Sequence, residues 1–215
     1  ERAWIAVDNK LILWNYKMPS NAFVQLQFLT LELKNTILFV QLVRPKPKVF
    51  VENVKHLLVV ATLTEVKIFI VQSNDLSSLE IFDPQLLVSS NGITVNQIVE
   101  NTKTHDIYFS GDGNNIWRLD YSDKATFTKN KCDKVCLTKS GFALVLPVKL
   151  PGLPWEHSTP TDSSNNNAIA ESIIQLEIDS ERDILYSLLN KSVIRVYKLA
   201  QNQELFTQHS QLLPS

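Results

Sequence analysis

Short apolar runs, rich in Val, Ile and Leu, alternate with polar residues along most of the chain. Runs of this length with period-two alternation, bounded by polar turn residues, predict β-strands. One pattern occurs four times: a strand, a short polar turn and a second strand. The four copies are residues 4–14, 56–71, 106–121 and 184–197. The chain is therefore predicted to consist largely of β-hairpins, with Asn and Asp serving as turn residues.

Further strands flank these hairpins. Three predicted strands precede a hairpin and two follow one; in chain order they are residues 36–42, 79–82, 94–99, 134–137 and 172–178. Four antiparallel strands that recur about every 40–50 residues are typical of propeller blades. The fold is predicted to be all-β: residues 1–215 form part of a β-propeller, with about four or more four-stranded blades and inserted loops. Closure of a propeller takes about four to eight blades, so the domain is expected to continue beyond this chain.

Composition narrows the function classes. The 215 residues carry 21 basic and 22 acidic side chains, a formal net charge of -1. That balance produces no overall field that attracts nucleic acid or an anionic membrane, so direct nucleic-acid binding is not expected and membrane contact would need a local patch. The 5 glycines form neither a dinucleotide-binding nor a Walker A motif. No cofactor and no small-molecule substrate is predicted, and no apolar stretch reaches the ~18 residues of a membrane span.

Neither a metal centre nor a catalytic centre is predicted. Cys132 and Cys136 lack the further Cys or His ligands of a structural zinc site, so they are interpreted as buried or strand-end thiols in a reducing compartment. Four carboxylates cluster on a predicted turn between strands, where acidic residues are ordinary turn formers. These residues are Glu177, Asp179, Glu181 and Asp183. The protein is predicted not to be an enzyme.

One hairpin turn resembles the Asp-box of sialidase-type propellers. Ser110, Asp112 and Trp117 fit its pattern, whereas Asn114 and Ile116 do not. A structural role is the better interpretation: the Asp112 carboxylate is expected to bind backbone amides in the turn, and Trp117 is expected to pack between blades. A sialidase-like hydrolase therefore remains only as an alternative.

Two insertions interrupt the repeat. The first, residues 43–50, contains two prolines and the cations Arg44, Lys46 and Lys48, and it is predicted to be an extended, solvated surface loop rather than a nucleic-acid or phosphoinositide site. The second covers about residues 138–170; it is apolar at first and then polar and low in complexity at residues 163–167.

The apolar part of the second insertion has two interpretations. Phe142, Val145 and Leu146 have the i, i+3, i+4 spacing of a short interfacial helix, and Trp155 further along suits a membrane interface. Alternatively, these side chains pack across the propeller as an edge strand and cap. Composition alone favours the second interpretation.

Several stretches, in order along most of the chain, resemble the large scaffold nucleoporins of the inner ring of the nuclear pore, in which a β-propeller precedes an α-solenoid. The resemblance is carried by residues 3–16 (AWIAVDNKLILWNY), 42–47 (LVRPKP), 54–62 (VKHLLVVAT), 109–117 (FSGDGNNIW), 184–186 (ILY) and 194–197 (IRVY). Residues 18–33 fit the family poorly.

The resemblance implies an architectural protein of the nuclear pore complex in the nuclear envelope that supports nucleocytoplasmic transport. Its implied partners are other scaffold and linker nucleoporins and, peripherally, the curved pore membrane. A family loop that resembles a lipid-packing sensor aligns with the second insertion, although this chain has fewer Ser and more Pro there. The implied membrane-contact residues are Phe142, Leu144, Leu146, Leu150, Leu153 and Trp155. The alternative outside the family is a generic protein-interaction propeller.

Overall fold

The computed structural model of the chain describes residues 2–15, 28–72, 79–122, 131–138, 171–190 and 192–199. Within these residues fourteen strands form four antiparallel sheets, and in each sheet the strands that follow one another in sequence are neighbours. The second and third sheets have four described strands, and the first and fourth have three. This arrangement confirms the prediction of an all-β fold built from propeller blades.

The strands differ only modestly from the predicted ones. The first sheet contains β1 (Arg2–Val7), β2 (Lys10–Asn15) and β3 (Phe28–Glu32). The second contains β4 (Ile37–Val43), β5 (His56–Thr62), β6 (Glu65–Gln72) and β7 (Glu80–Ser89). The third contains β8 (Val95–Glu100), β9 (Ile107–Gly111), β10 (Ile116–Tyr121) and β11 (Cys132–Cys136). The fourth contains β12 (Ile173–Asp179), β13 (Ile184–Leu189) and β14 (Ile194–Lys198).

Asp and Asn build the first hairpin turn, as predicted. Val7 pairs with Lys10, which leaves a two-residue turn in which Asp8 adopts a left-handed backbone with φ 56°. Short polar side chains tolerate this conformation because they form local hydrogen bonds. The Asn9 side chain donates to the Leu33 carbonyl at 2.8 Å and thereby ties the turn to the end of β3.

The continuous apolar run of β5 reflects burial on both faces of the second sheet. Leu57, Val59 and Ala61 belong to the core shared with the third sheet, whereas Leu58 and Val60 belong to the core shared with the first sheet. All five are fully buried. A strand that is buried on both faces has no solvent-facing positions, which explains why apolar and polar residues do not alternate along β5.

Strand β7 is longer than predicted and contains a bulge. The pairing with β6 shifts register between Ile68 and Ile70, and Gln85 has a positive φ of 59°. The Asp83 carboxylate accepts a hydrogen bond from the Gln85 amide at 2.8 Å. The bulge accommodates Pro84, which lacks an N–H for the ladder, and it lets the strand continue to Ser89.

Sequence reasoning missed β3, which lies in the stretch that fits the family poorly. Its side chains alternate between half-buried and exposed, and Leu29 and Leu31 pack against the core between the first two sheets. Residues 18–27 of that stretch and residues 139–170 of the second insertion lie outside the described residues. The described part contains no helix long and apolar enough to cross a membrane.

Candidate protein-interaction surface

The six residues implied to contact the membrane lie outside the described residues. They are Phe142, Leu144, Leu146, Leu150, Leu153 and Trp155. Membrane contact by this segment therefore stays a prediction, and the described part of the chain offers a different candidate surface.

An apolar groove opens where the first insertion meets the outer strands of the second sheet. It has a volume of about 550 Å³, and its apolar lining consists of Val49, Phe50, Val51, Val54, Ile70 and Phe82, with Lys48 and Gln72 as the polar residues. Val54 is 5% exposed, whereas Val51 and Phe82 on the rim are 70% and 45% exposed. Such rim residues present apolar surface to a partner while the interior of the groove stays packed.

The insertion that forms one wall of this groove is anchored to the third sheet by Lys46. Its ammonium group lies 2.9 Å from the carboxylate of Asp106 and 3.7 Å from that of Asp120, and only 17% of the Lys46 side chain is exposed. We call Lys46, Asp106, Asp120 and Tyr121 the lysine anchor. Because two carboxylates flank one cation, the partly buried ammonium group of Lys46 has opposite charges on both of its contacts.

Tyr121 joins the lysine anchor to the groove. The Lys46 backbone N–H donates to the Tyr121 hydroxyl at 3.0 Å, and the Lys46 ammonium lies 5.1 Å from the ring centroid. The other contact of this ring is with Phe50, whose centroid lies 6.2 Å away in a stacked arrangement. Burial raises the pKa of Tyr121 well above its ordinary value, and nearby Asp106 and Glu100 raise it further against the lowering effect of the Lys46 N–H.

A second contact holds the start of the insertion. The Glu100 carboxylate accepts a hydrogen bond from the Arg44 backbone N–H at 3.2 Å, and its other oxygen lies 2.7 Å from Nδ1 of His105. The prediction of a solvated loop is therefore wrong for Lys46, since its ammonium group is held against the third sheet. It is confirmed for the exposed Arg44 and Lys48. The three cations do not form one basic patch.

A smaller groove of about 260 Å³ lies between the first and second sheets, beside β3, β6 and β7. Its lining includes Leu31, Phe69 and Ile81, and also Lys67 and Asp83, whose charged groups lie 2.6 Å apart. The Lys67 ammonium also lies 5.1 Å from the centroid of the Phe69 ring. In this groove the cation and the carboxylate already pair with each other.

Asp112 has a structural role, as predicted, but its carboxylate binds the residue before β8 and not the amides of its own turn. Its carboxylate accepts hydrogen bonds from the backbone N–H of Thr94 at 2.5 Å and from the Thr94 hydroxyl at 3.1 Å. The neighbouring Gly111 permits this close approach, because a Cβ atom there would lie 2.5 Å from the Thr94 carbonyl oxygen. Trp117 packs against the core between the second and third sheets, as predicted, and the Lys134 ammonium lies 4.8 Å from its ring centroid.

The carboxylate cluster of the fourth sheet and the two cysteines also have structural roles. Asp179 accepts hydrogen bonds from the backbone N–H groups of Glu181 and Arg182, which closes the predicted turn between β12 and β13. Cys132 and Cys136 are free thiols at the two ends of β11, and burial raises the pKa of Cys132 to about 12. Within the described residues no cluster of His, Cys, Asp and Glu could hold a metal ion.

The apolar groove was not predicted from the sequence. The available signal was the apolar trio Val49, Phe50 and Val51, which is unusual in a loop that also carries Pro and Lys. Among the described residues that line the groove, Lys48 is the charged one. Lys46 is not among them, since its ammonium group is held by Asp106. The surface is thus apolar with a positive edge, a combination suited to recognition of a protein segment rather than to catalysis.

Comparisons with known proteins agree with an architectural role. A family model for nucleoporin N-terminal regions, described as Nup133 N terminal like, matches residues 1–213. The chain is 40% identical over 209 residues to nucleoporin NUP170 of Saccharomyces cerevisiae, which covers 93% of the chain and 14% of that protein. It is 33% identical over 204 residues to the probable nucleoporin C890.06 of Schizosaccharomyces pombe, with coverage of 94% and 14%. The chain thus spans about one seventh of the length of these relatives.

A solved structure shares the fold. The crystal structure of the Chaetomium thermophilum Nup170 NTD–Nup53 complex matches with a TM-score of 0.70 and 30% sequence identity, over 94% of this chain and 26% of that one. The relatives are nucleoporins of the nuclear pore complex, so the predicted location and the resemblance on which it rests are confirmed.

Proposed function

The chain belongs to the nucleoporin family with an Nup133-like N-terminal region, and we propose that its propeller sheets dock a linker nucleoporin and support contact with the pore membrane. Its role is that of a scaffold component of the nuclear pore complex, and catalysis plays no part in it. Family membership also favours this role over a generic interaction propeller or a sialidase-like hydrolase.

The linker contact is carried by one observation. The Chaetomium thermophilum domain that shares this fold over 94% of the chain is in complex with Nup53. The described sheets offer an open apolar groove, one wall of which is anchored to the third sheet, and this is the kind of surface that a segment of a linker protein uses. By retaining linkers at the pore, the protein supports nucleocytoplasmic transport.

The linker contact is tested with the full-length protein. We expect the Nup53-type linker of the same organism to bind the immobilised protein directly, with a Kd in the micromolar range or tighter, as measured by biolayer interferometry. Loss of the protein from cells is expected to reduce the amount of that linker at the nuclear envelope. Failure of two purified, folded proteins to associate would contradict the linker role.

Membrane contact is supported by the apolar second insertion, in which Phe142, Leu144, Leu146, Leu150, Leu153 and Trp155 provide large apolar side chains. Because the chain has almost no net charge, the attraction is expected to come from apolar insertion and to depend on membrane curvature more than on anionic lipid.

Liposome flotation of the full-length protein tests this contact. We expect the double variant Phe142→Asp and Leu146→Asp to float poorly with small, highly curved vesicles. The matched control carries the same added charge in the polar part of the insertion, as Ser163→Asp and Asn165→Asp, and is expected to float like the wild type. Equal flotation of both variants would contradict the membrane proposal and leave the proposed linker contact unaffected.

A further inference from the structure

We propose that the end of the sheets that carries the turns after β1, β5, β9 and β13 faces the membrane, and that Leu63 and Val193 in these turns contact the lipid interface. This inference rests on the proposed membrane contact of the second insertion. It adds which side of the sheets the membrane touches, and it names contact residues outside the insertion.

The four turns lie on one end of the sheets, together with the connections between sheets. Consecutive strands are antiparallel neighbours, so the turn after the first strand of each hairpin and the connection to the next sheet lie at the same end of the strands. We call these segments the turn rim. They are residues 8–9, 33–36, 63–64, 90–94, 112–115, 190 and 192–193.

Hydrogen bonds join the turn rim from sheet to sheet. The side chain of Asn35, after the first sheet, donates to the Thr64 hydroxyl at 2.8 Å. The Ser90 backbone N–H, after the second sheet, donates to the Thr64 carbonyl at 2.8 Å, and the Asp112 N–H in the third sheet donates to the Thr94 carbonyl at 3.1 Å. The turn rim is therefore one continuous surface with fixed neighbours.

Both ends of the second insertion are attached to this rim. At its start the Thr138 hydroxyl donates to the Asn115 side-chain oxygen at 2.7 Å. Just after its end the Glu171 carboxylate accepts hydrogen bonds from the Asn114 side chain at 3.4 Å and from the Arg195 guanidinium group at 2.7 Å. The single turn between β9 and β10 thus holds the residues on either side of the apolar segment, which places that segment on the same side of the sheets as the turn rim.

Exposed apolar side chains lie on the rim on both sides of that turn. Leu63 is 52% exposed in the turn of the second sheet, and Val193 is 37% exposed in the turn of the fourth. Val7, which is 58% exposed, lies beside the turn of the first sheet, one sheet further away. Apolar side chains next to a membrane-binding segment add to the buried apolar area on which interfacial binding depends.

Polar side chains of the rim are bound to one another, which lowers the free-energy cost of bringing them to lipid headgroups. The Thr36 hydroxyl donates to the Asp8 carboxylate at 3.0 Å, as the Asn35 side chain does to Thr64. Groups that keep their hydrogen-bond partners lose less when water is displaced. With a net charge of -1 for the chain, this surface fits neutral lipid better than nucleic acid, which requires clustered cations.

The apolar groove lies at the opposite end of the strands. The first insertion joins β4 to β5, so it leaves from the end of β5 that is remote from the turn at Leu63. Membrane contact through the turn rim would therefore leave the groove accessible, and the protein could hold the membrane and a linker at the same time.

The first test is flotation of the full-length protein with small, highly curved vesicles of neutral phosphatidylcholine. We expect Leu63→Asp combined with Val193→Asp to lower the floated fraction by about threefold or more, because two carboxylates replace apolar side chains at the lipid interface. The matched control is Val51→Asp, which is more exposed and lies at the opposite end of the strands, and it is expected to float like the wild type. Equal melting temperatures would show that all variants are folded.

The second test detects the contact directly. A benzophenone amino acid placed at Leu63 or at Val193 of the full-length protein should form adducts with the phospholipid of the same vesicles under ultraviolet light. The same amino acid placed at Val51 should form none. Adducts with a second copy of the protein in place of lipid would overturn the inference, because the rim would then be a protein contact.

The outcomes separate this inference from the proposed membrane contact. Suppose that the wild type floats, that Phe142→Asp with Leu146→Asp does not, and that Leu63→Asp with Val193→Asp floats fully and no lipid adducts form. The turn rim would then be overturned as a membrane contact, and the insertion would keep that role. A loss of flotation by Val51→Asp as large as that of the rim variant would overturn the choice of side. Failure of the wild type to float would overturn both.

Discussion

The two interfaces of the third sheet are held together in different ways. Towards the second sheet it shares a large aliphatic and aromatic core, which includes Phe109 and Leu119, and the lysine anchor lies at the edge of that core. Towards the fourth sheet the shared core is smaller and contains Tyr108 and Tyr197. There the sheets are joined, besides this core, by hydrogen bonds from β8 and the turn after it to the fourth sheet.

Those turn contacts are specific. The Asn101 side chain donates to the Asp183 carboxylate at 3.1 Å, and the Thr102 backbone N–H donates to the Ser180 hydroxyl at 2.9 Å. Asn96 donates to the Ile173 carbonyl at 2.7 Å. None of these residues lines the apolar groove. Disturbing the anchored interface should therefore affect both stability and partner binding, while disturbing the hydrogen-bonded interface should affect stability alone.

Removal of the anchoring charge should have the largest effect. Lys46→Met leaves Asp106 and Asp120 near each other without their cation, and we expect a loss of about 2–3 kcal/mol in the free energy of unfolding, less than for fully buried pairs because all three groups keep some solvent contact. Urea unfolding measures this loss, and linker affinity should fall as well. Lys48→Met, an exposed control, should change stability by less than about 0.5 kcal/mol. Equal losses would contradict the anchor.

The hydrogen-bonded interface should respond more weakly. Asn101 is almost fully buried, and its carbonyl oxygen accepts hydrogen bonds from the backbone N–H groups of Lys103 and Thr104 in addition to the bond to Asp183. We expect Asn101→Ala to lower the free energy of unfolding by about 1–2 kcal/mol, because two partly buried donors lose their acceptor. Linker affinity should stay at the wild-type value. Lys103→Ala, in the same turn, is the control, and a loss of linker binding by Asn101→Ala would show that both interfaces reach the groove.

Alkaline pH should weaken both interfaces. Burial, with smaller effects of nearby carboxylates, raises the pKa of Tyr108 and of Tyr121 above the ordinary value of 10.0. The unfolded chain then loses these protons first, so the stabilising difference is fully present below pH 10 and is lost as the pH rises above it. Ionisation of each tyrosine in the unfolded chain should lower the free energy of unfolding by about 1.4 kcal/mol per pH unit in that range.

Unfolding measured from pH 8 to 11 tests this, with the variants Tyr121→Phe and Tyr108→Phe. Each replacement should make the decline in the free energy of unfolding above pH 10 shallower. Tyr121→Phe tests the interface with the second sheet, and Tyr108→Phe tests the interface with the fourth. An unchanged slope in both variants would mean that other groups cause the alkaline loss.

The smallest effect is expected deep between the third and fourth sheets. The hydroxyl groups of Ser187 and Tyr197 are buried and make no hydrogen bond among the described residues. Ser187→Ala and Tyr197→Phe should therefore change the free energy of unfolding by less than about 0.5 kcal/mol. Calorimetry measures this change. A loss above about 1 kcal/mol in the free energy of unfolding would mean that ordered water forms hydrogen bonds with these hydroxyl groups.

The hairpins could be predicted from the sequence because their signals are local. Alternating Val, Ile and Leu, and turn residues such as Asp8 and Asn9, act within a few positions of each other. Strand β7 was predicted only as far as Phe82, because Pro84 argues against a strand unless a bulge accommodates it. Missing β3 was avoidable, since residues 28–32 do alternate.

The groove and the anchor could not be predicted in the same way. Nothing near Lys46 in sequence indicates burial of its ammonium group, because the carboxylates that compensate it come from another sheet. The apolar trio 49–51 marks the segment as unusual but does not say which strands it meets. The implied membrane contact rests on the family resemblance and on an apolar stretch, and its residues lie outside the described part of the chain.

The bulge at Asp83, Pro84 and Gln85 also hinders edge-to-edge pairing between copies of the chain. Strand β7 is the outer edge of the second sheet, and an outer edge with free backbone groups can recruit a strand from another copy. A proline without an N–H, a break in register and an adjacent charged pair all interrupt such a template. This interruption therefore disfavours edge-to-edge pairing between copies of the chain, which is a first step towards fibrils.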